Sequence, residues 1–312
     1  MKAWWVRPGV RLLAAVLLPL LVPAIITALI WALPGDPSEI ICPKATCSGT
    51  AELAARWHLD KGAWSFFVQW VGNAVHGDFG NSWRVEQGLP VADLLVDSVP
   101  VTVKLVVLSL IPILLGVVGA ATGLLPARTD GLFSAVGLVP ALVFSLLGSA
   151  AIVVKFGAGA FDSEANLWRL VVGAAVLGFS DGAFASAVSG VRGVFSAERN
   201  QRYVSIAILR GERPLANMLP NVAPALTGQL RARILHLLSG AVVVEVVLGL
   251  TGVGDLLWSG TLKQDFGVVL AAATTFACFS AFLLVVQAAV EVGVALHVRR
   301  APVLADVARV AA

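Results

Sequence analysis

Between Gly9 and Leu33 the chain runs 25 residues with Arg11 as its only charged side chain. A bilayer core of about 30 Å is crossed by roughly 20 apolar residues in a helix, because lipid offers no water to satisfy free backbone N–H and C=O groups. Similar runs recur to the C-terminus, and they place six spans at about 10–33, 101–125, 132–155, 168–190, 225–249 and 267–296. The expected fold class is therefore all-α, one polytopic transmembrane helical domain over residues 1–312. Only 13% of the residues are charged, about half the share of a soluble domain. A signal peptide has an apolar core of about 7–15 residues and a small-residue cleavage site. The first run is longer and ends in Leu33-Pro-Gly-Asp-Pro37, so it reads as an uncleaved span.

Orientation follows from where lysine and arginine lie. With the N-terminus inside, the inner segments carry Lys2, Arg7, Arg11, Arg128, Arg192, Arg199, Arg202, Arg210, Arg213, Arg299, Arg300 and Arg309. The outer segments and their edges carry eight basic residues, and the loop 34–100 holds eight carboxylates against four of them. Both termini are expected on the cytoplasmic side, with 34–100 facing outward. The net charge of +3 comes from arginines beside spans and gives no nucleic-acid signal.

The outer loop is rich in aromatics. Phe66, Phe67, Trp70 and Val71 fall at helical spacing, which suits an amphipathic helix lying on the membrane or on the domain. General enrichment of aromatics at interfaces accounts for them equally well. Cys42 and Cys47 lie close together in this loop. They form a disulfide if the loop is extracytoplasmic, or stand as two free thiols. His58, His76, His236 and His297 are scattered, and no metal-ligand spacing is present.

Residues 192–224 form a polar island between two apolar stretches, with five arginines. Within it, Tyr203-Val-Ser-Ile-Ala-Ile-Leu-Arg-Gly211 reads as a short helix ending in glycine, followed by Pro214, Pro220 and Pro224. A basic loop fixed only by topology is the plainer reading; a docking helix is the sharper one.

Ordered motifs favour the second. Leu33-Pro-Gly-Asp-Pro37 follows the first span. His58-Leu-Asp-Lys61 precedes the aromatic helix, then Gly77-Asp-Phe-Gly-Asn-Ser-Trp83, Pro90-Val91 and Pro100-Val-Thr102 lead into the second span. Gly240-Ala-Val-Val-Val-Glu-Val-Val-Leu-Gly-Leu-Thr-Gly-Val-Gly254 and Asp265-Phe266 precede the last. This set, over nearly the whole chain, resembles the first of the two permease subunits of ABC-type dipeptide/oligopeptide importers. The resemblance implies a coupling helix seated on an ATPase subunit, with Tyr203, Ala207, Arg210 and Gly211 at the docking element. It implies as partners a second homologous permease, two ATP-binding cassette ATPases that bind the ATP and Mg, and an external substrate-binding protein, in the bacterial inner membrane. No cofactor is expected in this chain, which lacks a Gly-x-x-x-x-Gly-Lys-Ser/Thr loop. Two departures stand out. Ser205 replaces the glutamate of the wider importer motif, and the early Pro214 implies that the second helix of the coupling element is truncated.

Span five carries Gln229, Arg231, Arg233 and His236. At about 100° per residue, Gln229, Arg233, His236 and Gly240 share one stripe and Arg231 points elsewhere. A charge in lipid is costly, so this stripe is expected to face a translocation pathway, unless the span starts later and the charges are interfacial. Asp181 in span four is a candidate partner for Arg233 or Arg231. The resulting function is the permease half of an ATP-driven importer of peptides. Nickel chelates or another small solute are the alternative cargo. A membrane-embedded enzyme or an ion-coupled transporter is the alternative class; the first lacks a nucleophile or metal set, the second lacks evident repeats.

Overall fold

The computed structural model describes residues 6–35, 37–41, 50–56, 59–157 and 162–300. Cys42, Cys47 and His58 lie outside the described residues. The described chain is helical: α1 (Val6–Ala32), α2 (Pro37–Ile41), α3 (Thr50–Arg56), α4 (Ala63–Val75), α5 (Val91–Thr122), α6 (Asp130–Gly137), α7 (Ala141–Phe156), α8 (Ser163–Phe179), α9 (Ala183–Arg199), α10 (Arg202–Leu209), α11 (Pro214–Leu248), α12 (Val253–Lys263) and α13 (Phe266–Arg300). Among the described residues, extended pairing is confined to a bridge between Asn81 and Pro90.

Among the described residues, four units are long and apolar enough to span a membrane: 8–32, 91–122, 163–199 and 266–296. Two broken pairs, α6–α7 bent by 77° and α11–α12 bent by 71°, raise the number to six if each is one span. The all-α polytopic reading holds, with different boundaries. The second span begins at Val91, because Pro100 and Pro112 are accommodated inside a 32-residue helix. The fifth begins at Pro214 and runs 35 residues, so helix resumes three residues after Gly211. Pro214 occupies the first helical turn, where its missing N–H costs nothing. Pro220 and Pro224 sit in the next turns, near the polar end of the helix.

The helices give the molecule two distinct ends. The basic end gathers the start of α1, the α5–α6 turn and the α9–α10–α11 connection. The loop end gathers α2–α4, the α7–α8 connection, α12 and the start of α13. α1 lies antiparallel along α13, and an Arg11–Glu291 ion pair ties them near the basic end. The main core packs α5, α7, α8, α9 and α11 around Leu105, Ile113, Leu237 and Val244. A second core at the loop end joins α1, α4, α5, α12 and α13 through Phe66, Trp70, Val91 and Phe266. Phe66 and Trp70 therefore pack on the domain itself. Leu13, Val16, Leu17, Leu21 and Leu29 of α1 remain exposed, the apolar outer face that lipid would cover.

Candidate functional site

The α9–α10–α11 connection is built from local signals. α10 ends in a Schellman cap: Glu212 N–H donates to the Ala207 carbonyl at 3.0 Å and Gly211 N–H to Ile208 at 2.9 Å. Gly211 sits at φ +75°, the left-handed position such a cap requires. Val204 and Ala207, one turn apart, are buried, and Val204 packs in a cluster with Val191, Phe195, Met218 and Val222. Ala207 thus faces its own chain rather than outward. The outward face is Arg202, Ser205, Ile206, Ile208, Leu209 and Arg210. Leu209 is 87% exposed. Tyr203 donates from its phenol to Glu198 of α9. Burial first, then this hydrogen bond, push the phenol above its ordinary pKa, so it stays protonated. The polar island is not a loop: Arg192 lies within α9, where its guanidinium pairs with Asp130 at 3.2 Å and donates to the Leu125 carbonyl at 2.7 Å.

The charged stripe of α11 divides. Gln229 donates to the Gly190 carbonyl at 3.3 Å, and Arg233 donates to Ser186 Oγ at 2.6 Å. Both side chains are therefore seated on α9. His236 is exposed, on the same open line as Ala232, Ser239 and Val243. Gly240 abuts Leu177 of α8. Asp181 does not meet Arg233 or Arg231. It lies in a one-turn break between α8 and α9 at φ +50°, and its carboxylate accepts from Ala141 N–H, the first residue of α7, at 3.2 Å. The residues between α8 and α9 turn the chain before the acid can reach α11.

Two further acids organise the loop end. Glu245 is fully buried. Its Oε1 accepts from Thr102 Oγ1 at 2.7 Å, and its Oε2 accepts from Gly254 N–H at 2.7 Å and Asp255 N–H at 3.2 Å. Thr102 Oγ1 in turn accepts from Val253 N–H at 2.8 Å. All three free N–H groups of the first turn of α12 are thereby satisfied from α5 and α11. A Cβ on Gly252 would stand 2.3 Å from the Glu245 carboxyl carbon, so that position needs glycine. Asp265, also fully buried, accepts on Oδ2 from Ser82 Oγ at 2.7 Å, Trp83 N–H at 2.8 Å and Arg84 N–H at 2.9 Å. Its Oδ1 faces Val268 N–H at 3.3 Å. The loop after Gly77-Asp-Phe-Gly-Asn-Ser-Trp83 is thus clasped to the α12–α13 corner. Sequence reasoning quoted both motifs but assigned neither acid. The signal available was an acid next to glycine-rich turns. Among the described residues, no group of three or more His, Cys, Asp or Glu side chains is placed to hold a metal.

Comparison with known proteins adds the family. The pattern of the binding-protein-dependent transport system inner membrane component matches residues 105–295. The chain is 25% identical over 264 residues to the oligopeptide transport system permease protein AppB of Bacillus subtilis, covering 77% of this chain and 82% of that protein. It is 24% identical over 235 residues to the oligopeptide permease OppB of Escherichia coli, covering 70% and 75%. It is 25% identical over 266 residues to the dipeptide permease DppB of Lactococcus lactis, covering 80% and 84%.

Proposed function

Because the chain belongs to the binding-protein-dependent transport system inner membrane component family, we propose that it is one permease subunit of an ATP-driven importer of di- or oligopeptides. The peptide cargo rests on the names of the relatives. The coupling role rests on one observation above all. α10 turns Ile206, Ile208 and Leu209 outward between Arg202, Arg210 and Arg213, at the basic end, with no partner among the described residues. An apolar ridge flanked by guanidinium groups suits a groove lined by acids on an ATPase subunit. Tyr203, Ala207 and Gly211 hold that ridge in shape, and Arg210 belongs to the contact itself.

In this reading the basic end and both termini are cytoplasmic, in a bacterial inner membrane. The loop end receives a substrate-binding protein, and a second homologous permease closes the pathway. Two ATPase subunits bind the ATP and Mg, and this chain carries transport rather than catalysis. His236 and Ser239 stand on the pathway wall, where an imidazole suits a peptide carboxylate. Gln229, Arg233 and Asp181 serve behind it, fixing α9 and α7.

The test is reconstitution of the chain with its ATPases, second permease and binding protein in proteoliposomes, followed by uptake of labelled di- and tripeptides. ATP-dependent peptide uptake is the expected result. Uptake without ATP, or ATP-dependent uptake of a nickel chelate with none of peptide, would refute the assignment.

A further inference from the structure

Two spans are broken at the same level and against each other. α6 ends at Gly137 and α7 starts at Ala141, bent by 77°. α8 ends at Phe179 and α9 starts at Ala183, with Asp181 at φ +50° and Gly182 at φ +68° between them. The breaks touch backbone to backbone: a Cβ on Gly137 would lie 2.6 Å from Gly182 Cα. Asp181 joins them twice. Its N–H donates to the Val139 carbonyl at 3.3 Å, and its carboxylate accepts from Ala141 N–H at 3.2 Å. Aspartate is among the few side chains that tolerate the left-handed backbone found there.

On the basic side of the joint, α6 and α9 are bound to one another. Phe133 and Phe184 have ring centroids 4.5 Å apart, and Arg192 of α9 pairs with Asp130 at the start of α6. α10 follows α9 directly and shares its packing through Phe195 and Val204. On the other side, α7 and α8 pack together, with Gly148 against Val172. Thus α6, α9 and α10 pack together on the basic side and α7 with α8 on the other, and the two sets meet at non-helical backbone.

We propose that Asp181 is a positioning residue that pins the start of α7 to the α8–α9 break, so that both breaks bend about one common point when α10 moves. This rests on the coupling reading above. Without the Asp181 carboxylate α6 would still follow α9 through Phe133 and Asp130, but the start of α7 would no longer be held to the joint.

The experiment uses the complete transporter. Spin labels at Leu132 and Leu147 report the α6–α7 break, and labels at Val171 and Ser189 report the α8–α9 break. All four side chains are exposed. In the otherwise unsubstituted protein, both distances should shift together on trapping with ATP and vanadate. In Asp181→Ala the α8–α9 distance should still shift as before. The α6–α7 distance should broaden rather than shift as one, because α6 still follows α9 and the start of α7 is no longer held. Peptide uptake should fall by about fivefold or more, a typical coupling loss, with ATP hydrolysis largely retained. Asp181→Asn keeps a carbonyl acceptor and should restore both readouts. Loss of hydrolysis in parallel with uptake, joint motion preserved in Asp181→Ala, or no rescue by asparagine would overturn the proposal. Uptake by the unsubstituted transporter with neither distance moving would sink the joint alone. No ATP-driven uptake by that transporter would sink the permease reading, and the joint with it.

Discussion

Replacing Glu245 tests whether the buried carboxyl fixes α12. Its two oxygens receive three donors, from Thr102, Gly254 and Asp255, and its surroundings exclude solvent. Glu245→Ala leaves those donors without an acceptor. At about 1–3 kcal/mol for each stranded buried donor, offset in part by water entering the space, the loss is on the order of 3–5 kcal/mol. For a chain of this length that is a fall of about 6–10 °C in Tm, at roughly 2 °C per kcal/mol. Glu245→Gln keeps one carbonyl oxygen for Gly254 and Asp255 but turns an NH2 toward the Thr102 hydroxyl. One hydroxyl proton is then unmatched, and the cost is about 1–2 kcal/mol. The assay is thermal unfolding of the purified protein in detergent, with limited proteolysis at the α11–α12 corner. A double-mutant cycle with Thr102→Val isolates the pair and should give a coupling of about 1–3 kcal/mol. Unfolding of Glu245→Ala within about 0.5 kcal/mol of the unsubstituted protein, or additivity of the two substitutions, would refute the reasoning.

Asp265→Ala should release the 82–85 loop, seen as new cleavage near Arg84 at a protease level that leaves the unsubstituted protein intact. Asp265→Asn should have an intermediate effect, because one amide oxygen can still collect part of the Trp83 and Arg84 donors. Gly211→Ala forces a side chain into a left-handed position with open space around it, so the cost is conformational, about 1 kcal/mol. Faster hydrogen exchange at the Gly211 and Glu212 amides would report it, with packing under Val204 unchanged. Tyr203→Phe should destabilise the α9–α10 junction by about 1 kcal/mol. Because burial and Glu198 raise the Tyr203 pKa above its ordinary 10.0, the stabilisation is whole below that pH and is lost as pH climbs past it toward the folded value. Melting at pH 9 and 11 should show the difference, and the phenylalanine variant should lack that part of the alkaline loss.

How much of this was legible depended on whether the signal was local. The first and last spans emerged from apolar length alone, and α1 and α13 agree with them to a few residues. The cap at Gly211 was legible because a Schellman turn is local chemistry. The direction of Ala207 was not, since Val204–Ala207 and Ile208–Leu209 are both apolar and only packing under α11 decides which pair turns inward. The start of α11 was misplaced because three prolines resemble loop punctuation, yet Pro214 takes the first turn and the helix continues through Pro220 and Pro224. Asp181 was misassigned because a helical wheel assumes an unbroken helix. Ser180-Asp181-Gly182 is turn chemistry in an apolar run and carried the contrary signal.

The acids share a physical logic that pairing by charge overlooks. Asp181 receives the first N–H of α7, Glu245 receives the second and third N–H groups of α12, and Asp265 lies just ahead of α13, facing its third N–H while collecting the 83–84 amides. Each stands where a helix restarts at a break. A helix start exposes several N–H groups that lipid cannot satisfy, and its dipole favours negative charge there. A carboxyl is the group with the most acceptor capacity for that task. An arginine partner such as Arg233 would leave those amides bare, and the structure instead gives Arg233 a serine hydroxyl on α9. An acid a few residues from a Gly or Pro break in an apolar run is therefore better read as the anchor of the next helix than as half of an ion pair. On that reading, the breaks of this membrane domain are marked in its sequence by their acids.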